Sequence, residues 1–528
     1  MQMRSSRRRL SARHTVLERY VLIALVALVW LVVSAHVGTN QVVMEGRAGG
    51  YDLRVMINPS GVVPAQVPIV VRVLNGSPTR VSVRAAQWNV GTRGAPPPED
   101  AALVPGDPGA YAHELWIMTA STYAVHVAVE GPLGNGTLVV PMQTSSTRTL
   151  GMQRVMGGVL VVLGSLLVLG LVTIVGAATR EGTLMPGTAA PSNSRRRARI
   201  AIGVTSAFLA VALFGGAKWW NAEEEAYKRR MFQPIANEAS VRSVDDARQL
   251  TVAITDSLWG TNRFSPIMPD HGKLMHLFML RLDDANVIAH LHPLRVATDS
   301  FVTRLPALPS GRYVLFGDIL LQSGAQRTLV DTVDVPDAPM VTESQSQIAD
   351  SRAPALDADD AWREVLAVRI GTPAALANGG NLTLSADATV SAGRDLRLTA
   401  TVIDADGTIA TLDPYMGMLG HAMVYRMDGT LFMHLHPMGT ASMGAQLQLQ
   451  RRESGDTLAG DSSSIASALA VAEDAAASTH AQHAAPTLAF PFEFPAPGDY
   501  RVFVQEKRKG VVETAAFDVA GPVTQQPR

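Results

Sequence analysis

Hydrophobic and polar positions along the chain fall into two kinds of stretch. Long apolar runs occupy residues 21–37, 155–178 and 200–217, each close to the length of about 20 residues that a helix needs to cross a bilayer. Elsewhere short runs alternate apolar and polar side chains with period two, as at 51–57, 68–74, 80–84 and 123–129, and Gly, Pro, Asn and Ser separate them. That alternation predicts antiparallel β-sandwiches in which each strand buries one face. The expected fold is therefore mainly β, with tandem antiparallel β-sandwich domains attached to three transmembrane α-helices.

Charge orients these pieces. Residues 1–20 carry Arg4, Arg7, Arg8, Arg9, Arg13 and Arg19, and the loop at 179–199 carries Arg180 and Arg195–Arg197. Cytoplasmic segments next to membrane spans are rich in Arg and Lys. Residues 1–20 and 179–199 are thus expected in the cytoplasm, and the sandwiches on the far side of the membrane. A cleaved signal peptide is the competing reading of 21–37, because Val33, Ser34 and Ala35 offer small residues for cleavage. Lys218, Trp219 and Trp220 mark an interfacial belt, and 223–230 reads as a short solvated helix or stalk. Soluble domains are expected at 40–145, 240–337 and 362–520, with a linker at 338–361 and a polar, Ala- and Ser-rich insert at 444–485 left as disordered or loosely helical.

The last two domains are a repeat. Pro269, His271, Gly272, Leu274, His276, Arg281 and Asp283 recur at matching offsets as Pro414, Met416, Gly417, Leu419, His421, Arg426 and Asp428, and His290, His292 and Pro293, each one residue further from the first histidine, recur as His434, His436 and Pro437. Asp428-Gly429 between β-prone runs predicts a two-residue type I′ hairpin turn, which needs positive φ at both centres. Counting outward pairs His421 with His436 and Met423 with His434, all on one face. A three-residue loop in the first copy gives His276 opposite His292 and Phe278 opposite His290. Opposed Cβ atoms stand about 4.5–5.5 Å apart, close enough for two imidazoles to meet one metal ion. His271 and Met416 occupy one equivalent position, and exchange of imidazole for thioether favours copper, as Cu(I) or Cu(II), over zinc. On this reading each hairpin makes its own site, and loss of His421 or His436 leaves the first site intact.

Composition narrows the chemistry. The chain has no cysteine, which excludes thiolate metal sites, disulfides and a His₂Cys copper centre. Net charge is −1 with no long basic patch, so no nucleic-acid partner is expected. Hydrophobic residues make up 47% and aromatics 5%, as suits small sandwiches on membrane anchors. No nucleophile elbow, phosphate loop or dinucleotide fingerprint occurs in a fitting context, and neither HxH is followed by the glutamate of a cupin. An enzyme is not expected.

The runs Tyr415–His421, His434–Thr440 and 490–500 resemble a bacterial family of exported β-sandwich domains neighbouring the YtkA-like and cupredoxin-like proteins associated with copper handling. The segment 40–145 is similar in pattern to YtkA-like and FixH-like domains. The resemblance implies an Ig/cupredoxin-like sandwich fold and ligands at His276, His290, His292, His421, His434 and His436. The function expected is copper buffering or delivery by a membrane-anchored protein, with the bilayer and a copper-accepting protein or membrane complex as partners. The alternative is a non-catalytic accessory subunit of a respiratory or photosynthetic complex.

Overall fold

The computed structural model describes residues 41–337, 357–453 and 487–524, apart from 183, 186, 245–246, 262–263 and 522. The expected span at 21–37 and most of the 444–485 insert, with His480 and His483, lie outside the described residues. The described chain divides into two compact units, one of Gly61–Val63 and Ser145–Gln233, the other of the remainder.

The smaller unit is built on two helices, Arg154–Glu181 and Ser192–Arg230, both long and apolar enough to cross a membrane. They outrun the apolar stretches at 155–178 and 200–217, and the expected basic loop shortens accordingly. Arg195–Arg199 lie inside the second helix, which also runs on through Trp219, Trp220 and the Glu223–Arg230 segment without a break. Hydropathy marks only the apolar part of a helix; Ala, Arg, Glu and Lys continue it at little cost because they are strong helix formers.

The larger unit is a set of mainly antiparallel sheets, as the period-two patterning predicts, with two short parallel pairings, Val368 with Phe517 and Ser391 with Val523. Its N-terminal part stacks a five-stranded sheet holding Val42–Ala48 and Tyr51–Ile57 on a four-stranded sheet holding Arg80–Gln87 and Thr122–Glu130. Leu53, Val55, Val71, Val125 and Val127 are among the side chains that form the core between them.

Each histidine module repeats one strand order. In the first, Gln326–Val335 pairs Gly311–Leu321, which pairs His276–Arg281, which pairs Val287–Leu291. In the second, Val511–Val519 pairs Tyr500–Arg508, which pairs Gly420–Arg426, which pairs Phe432–Leu435. The corresponding tyrosines also match. Tyr313 donates to the Pro309 carbonyl at 2.8 Å and Tyr500 to the Ala496 carbonyl at 2.7 Å, each pinning the loop that enters the central strand.

The hairpin registers agree with the counting, with Phe278 opposite His290 and Met423 opposite His434. The turns differ. In the second hairpin only Gly429 has positive φ, and its N–H donates to the Arg426 carbonyl at 2.8 Å while the Arg426 N–H donates to the Leu431 carbonyl at 2.9 Å. The loop is thus Met427–Thr430 rather than a two-residue type I′ turn, because the Asp428 carboxylate accepts from the Thr430 N–H at 3.0 Å and so favours an Asx turn. The first hairpin's loop is correspondingly one residue longer than that, spanning Leu282–Asn286 between paired ends rather than three residues.

Two domain boundaries move. Ala361–Glu364 is a strand of the first module's sheet, pairing His290 with Ala361, so neither the end of the 338–361 linker nor Trp362 belongs where composition placed it. At the other boundary, Met443–Glu453 is a packed helix, so of the two expectations for the start of the insert, disordered or loosely helical, the helical one holds there. Its Leu449 packs with Ala124 and Val139 of the N-terminal sandwich, burial that sequence composition does not register.

The tail of the second histidine motif docks on the same sandwich. Glu45 N–H donates to the Met438 carbonyl at 2.7 Å and Thr440 N–H to the Val43 carbonyl at 2.8 Å. Gly439 has φ +127, and a Cβ there would collide with the Val43 carbonyl oxygen. Gly439→Ala is expected to destabilise the larger unit by about 1–3 kcal/mol through backbone strain, plus the cost of pushing the strand away. Thermal denaturation of the purified protein tests this, and an unchanged melting temperature would contradict it.

Candidate metal centre

The two histidine sheets pack face to face. Phe278, Ile288, Val314 and Phe316 of the first module meet Met423, Tyr425, Phe432 and Phe503 of the second in one apolar layer, with the Phe316 and Phe432 rings stacked at 4.2 Å. Beside this layer the period-two faces of both hairpins bring His276, His290, His292, His421, His434 and His436 into one buried cluster, joined by His271 from the turn before the first strand. Neighbouring ring centroids lie 4.4–6.3 Å apart.

Within the cluster two triads each bring one nitrogen per residue to within 4.8 Å of the others: His276 with His290 and His292, and His271 with His421 and His436. The second triad draws His271 from the first module. One site per hairpin is therefore not the arrangement the fold builds. Met423 stands in the apolar layer with Phe278 and Phe432. Met416, at φ 49°, shares the left-handed backbone of its counterpart His271, at φ 51°.

Hydrogen bonding sets the tautomers of the first triad. His276 Nε2 lies 3.1 Å from the Asp270 carbonyl oxygen, which only accepts, so Nε2 carries the proton and Nδ1 a lone pair. His290 Nδ1 lies 2.9 Å from Gln505 Oε1, leaving Nε2 with the lone pair. Those two lone-pair nitrogens, His276 Nδ1 and His290 Nε2, face each other at 3.2 Å. Asp360 Oδ1 accepts from the His292 backbone N–H at 2.8 Å and lies 3.0 Å from His292 Nδ1, so Nδ1 donates as well. His292 Nε2 is then a buried lone pair with no hydrogen-bond partner among the described residues. Three far-side N–H groups held by oxygen acceptors, and three lone pairs converging, form the outer shell and ligand set typical of a histidine metal site.

The second triad is barer. Both ring nitrogens of His421 are buried without a hydrogen-bond partner among the described residues, an arrangement that is costly unless something polar or cationic meets them. His434, the counterpart of His290, lies with Nδ1 3.7 Å from Asp318. Asp318 and Gln505 occupy equivalent places, opposite His276 and His421 on the two central strands, and each faces a histidine of the other module. A cavity of about 10 Å3, water-sized, reaches His276 and His434 between Asp270, Lys273 and Asp318.

Burial keeps the imidazoles neutral and able to coordinate. It pushes His276 down to about 4 and His436 to about 3, and holds His290, His292, His421 and His434 well below their ordinary value. Burial raises the acids alongside, Asp318 to about 7 and Asp360 to about 6.

Asp270, Asp318, Asp360, Gln505 and Tyr415, whose hydroxyl lies 3.3 Å from His290 Nδ1, are the site residues that spacing did not reveal. The repeat aligns Asp318 with Gln505, but an acid matched to an amide carries no metal signature of its own.

Residues 375–457 and 463–522, which cover most of the second histidine module, match the model of a family described as Domain of unknown function (DUF8832). No curated protein matches the chain. Among solved structures, the FN1-FN3 domains of chicken CNTN1 align at 7% identity over 90% of this chain and 99% of that one, with a TM-score of 0.14. A tetra-tandem repeat from the extending region of a large adhesion protein aligns at 10% identity over 87% and 96%, also with a TM-score of 0.14.

Proposed function

We propose that this chain is a membrane-anchored metal-binding protein of the bacterial inner membrane that holds copper in the periplasm for buffering or delivery. The observation that carries the reading is the 3.2 Å approach of His276 Nδ1 and His290 Nε2, both lone pairs by their outer partners, beside the unpartnered His292 Nε2. Neutral imidazoles fixed in this way suit Cu or Zn. The His271/Met416 exchange at repeat-equivalent positions favours copper, because thioether selects Cu(I).

The two apolar helices and the stretch 21–37 supply the anchor, and the arginines at 1–20 and 195–199 put the Ig/cupredoxin-like sandwiches outside the cytoplasm by the positive-inside rule. The resemblance to exported YtkA-like and cupredoxin-like domains agrees with that location. The role is binding rather than catalysis, with a copper-accepting protein or membrane complex as partner.

The test is elemental analysis of the full chain in detergent after separate equilibration with Cu(I), Cu(II) and Zn(II) and exhaustive desalting. Retained copper, in preference to zinc, is the expected result. A chain that retains no metal would overturn the reading in favour of a non-catalytic accessory subunit.

A further inference from the structure

We propose that the two imidazole triads are a single dinuclear metal centre, built jointly by the two histidine modules, with His434 standing between the two ions. The inference rests on the metal-binding reading above and adds the nuclearity and shared construction of the site.

Three observations carry it. The triads adjoin one another: the His271 and His276 rings lie 6.3 Å apart and those of His290 and His421 6.1 Å apart. His434, in neither triad, touches both, with its ring 5.3 Å from His276 and 5.8 Å from His290 on one side and 5.3 Å from His421 and 4.4 Å from His436 on the other. Finally, the modules are interleaved. His271 of the first module completes the triad of His421 and His436, Gln505 of the second orients His290, and Asp318 of the first faces His434.

Two ions held this way share a wall of imidazoles, as in two-metal sites whose ions stand about 3.5–4 Å apart. One ligand shell cannot be changed without moving the other. Because the neutral histidines supply no negative charge, two cations so close need the carboxyl groups of buried Asp270 and partly buried Asp318 beside them, and both acids line the cavity that reaches His276 and His434.

The test is Cu(II) loading of the full chain in detergent, with bound copper counted by elemental analysis and its electron paramagnetic resonance spectrum recorded. Two copper ions per chain with strong dipolar or exchange coupling, seen as a half-field transition or as a spin count well below the copper count that chemical oxidation does not restore, is the expected result. Two ions with the narrow, fully counted spectrum of isolated Cu(II), or a single ion per chain, would overturn the dinuclear centre and leave copper binding standing. No bound copper removes both readings. His271→Ala adds a second arm: loss of one copper with conversion of the remainder to an uncoupled signal supports the shared site, and an unchanged coupled pair overturns it.

Discussion

Replacing His292 with alanine is expected to weaken copper binding at the first triad by more than about 100-fold. Loss of outer-shell partners alone costs metal sites about 10–100-fold, and this substitution removes a ligand outright. His292 Nε2 is a buried lone pair without a partner among the described residues, and its ring is fixed by Asp360, 3.0 Å from Nδ1. Asp360→Ala is expected to fall in the smaller range, since it frees the ring to turn but leaves the nitrogen present. His113, paired instead with Glu99 at 3.0 Å in the N-terminal sandwich, is the control, and His113→Ala should change nothing. Competition titration against a chromophoric chelator separates the three. Equal affinity for His292→Ala and the unmodified chain would rule out the first triad as a site.

Acidification is expected to unfold the metal-free histidine modules between pH 6.5 and about 4, and copper to protect them. The folded state holds His276 at about 4 and His436 at about 3, below the ordinary imidazole value, so the unfolded chain binds protons first as pH falls. Stability is therefore fully present above pH 6.5 and is lost as pH drops through the window down to the folded values. A tenfold change in proton affinity is worth about 1.4 kcal/mol, so His276 alone contributes up to about 3 kcal/mol. Burial moves His290, His292, His421 and His434 the same way.

The buried acids oppose this. Asp318 at about 7, Asp360 at about 6 and Glu506 at about 8 are raised by burial, and their contribution grows as pH falls. All seven cluster histidines are depressed, His271 among them, against these three acids; the histidines are expected to prevail, and a net loss of one or two kcal/mol is already a large fraction of the roughly 5–15 kcal/mol by which domains are usually stable. Copper at a thousandfold excess over its dissociation constant would add about 4 kcal/mol and move the transition to lower pH. Melting curves of metal-free and copper-saturated protein at stepwise pH provide the check. A melting temperature flat from pH 7 to 4.5 without copper would mean that the imidazoles are not buried neutral.

Much of the centre is legible along the chain. The HxH spacing, the first histidine of each hairpin and the repeat offsets put His276 with His290 and His292, and His421 with His434 and His436, on common faces, because strand side chains alternate and a one-residue slip would expose the whole set. Turn type was less legible: the Asp428 carboxylate bonds the local backbone and lengthens the loop while leaving the register intact. Hydropathy located the helices Arg154–Glu181 and Ser192–Arg230 but not their ends. Composition read residues 357–361 and 444–453 as linker and insert, whereas they are held by tertiary contacts: Asp357 by Lys273 at 2.6 Å and Leu449 by the N-terminal sandwich.

By itself, then, the sequence determined that there are two equivalent hairpins, which histidines each presents on one face, and that apolar helices accompany β-sandwiches, because all of these follow from local periodicity and turn-limited register. Only the tertiary structure decided that the two faces close on each other, that His271 joins His421 and His436, and that Gln505 and Asp318 serve histidines of the opposite module. Those partners are separated by scores to hundreds of residues, no periodicity links them, and they meet because Phe278, Phe316, Phe432 and Phe503 bury one sheet against the other.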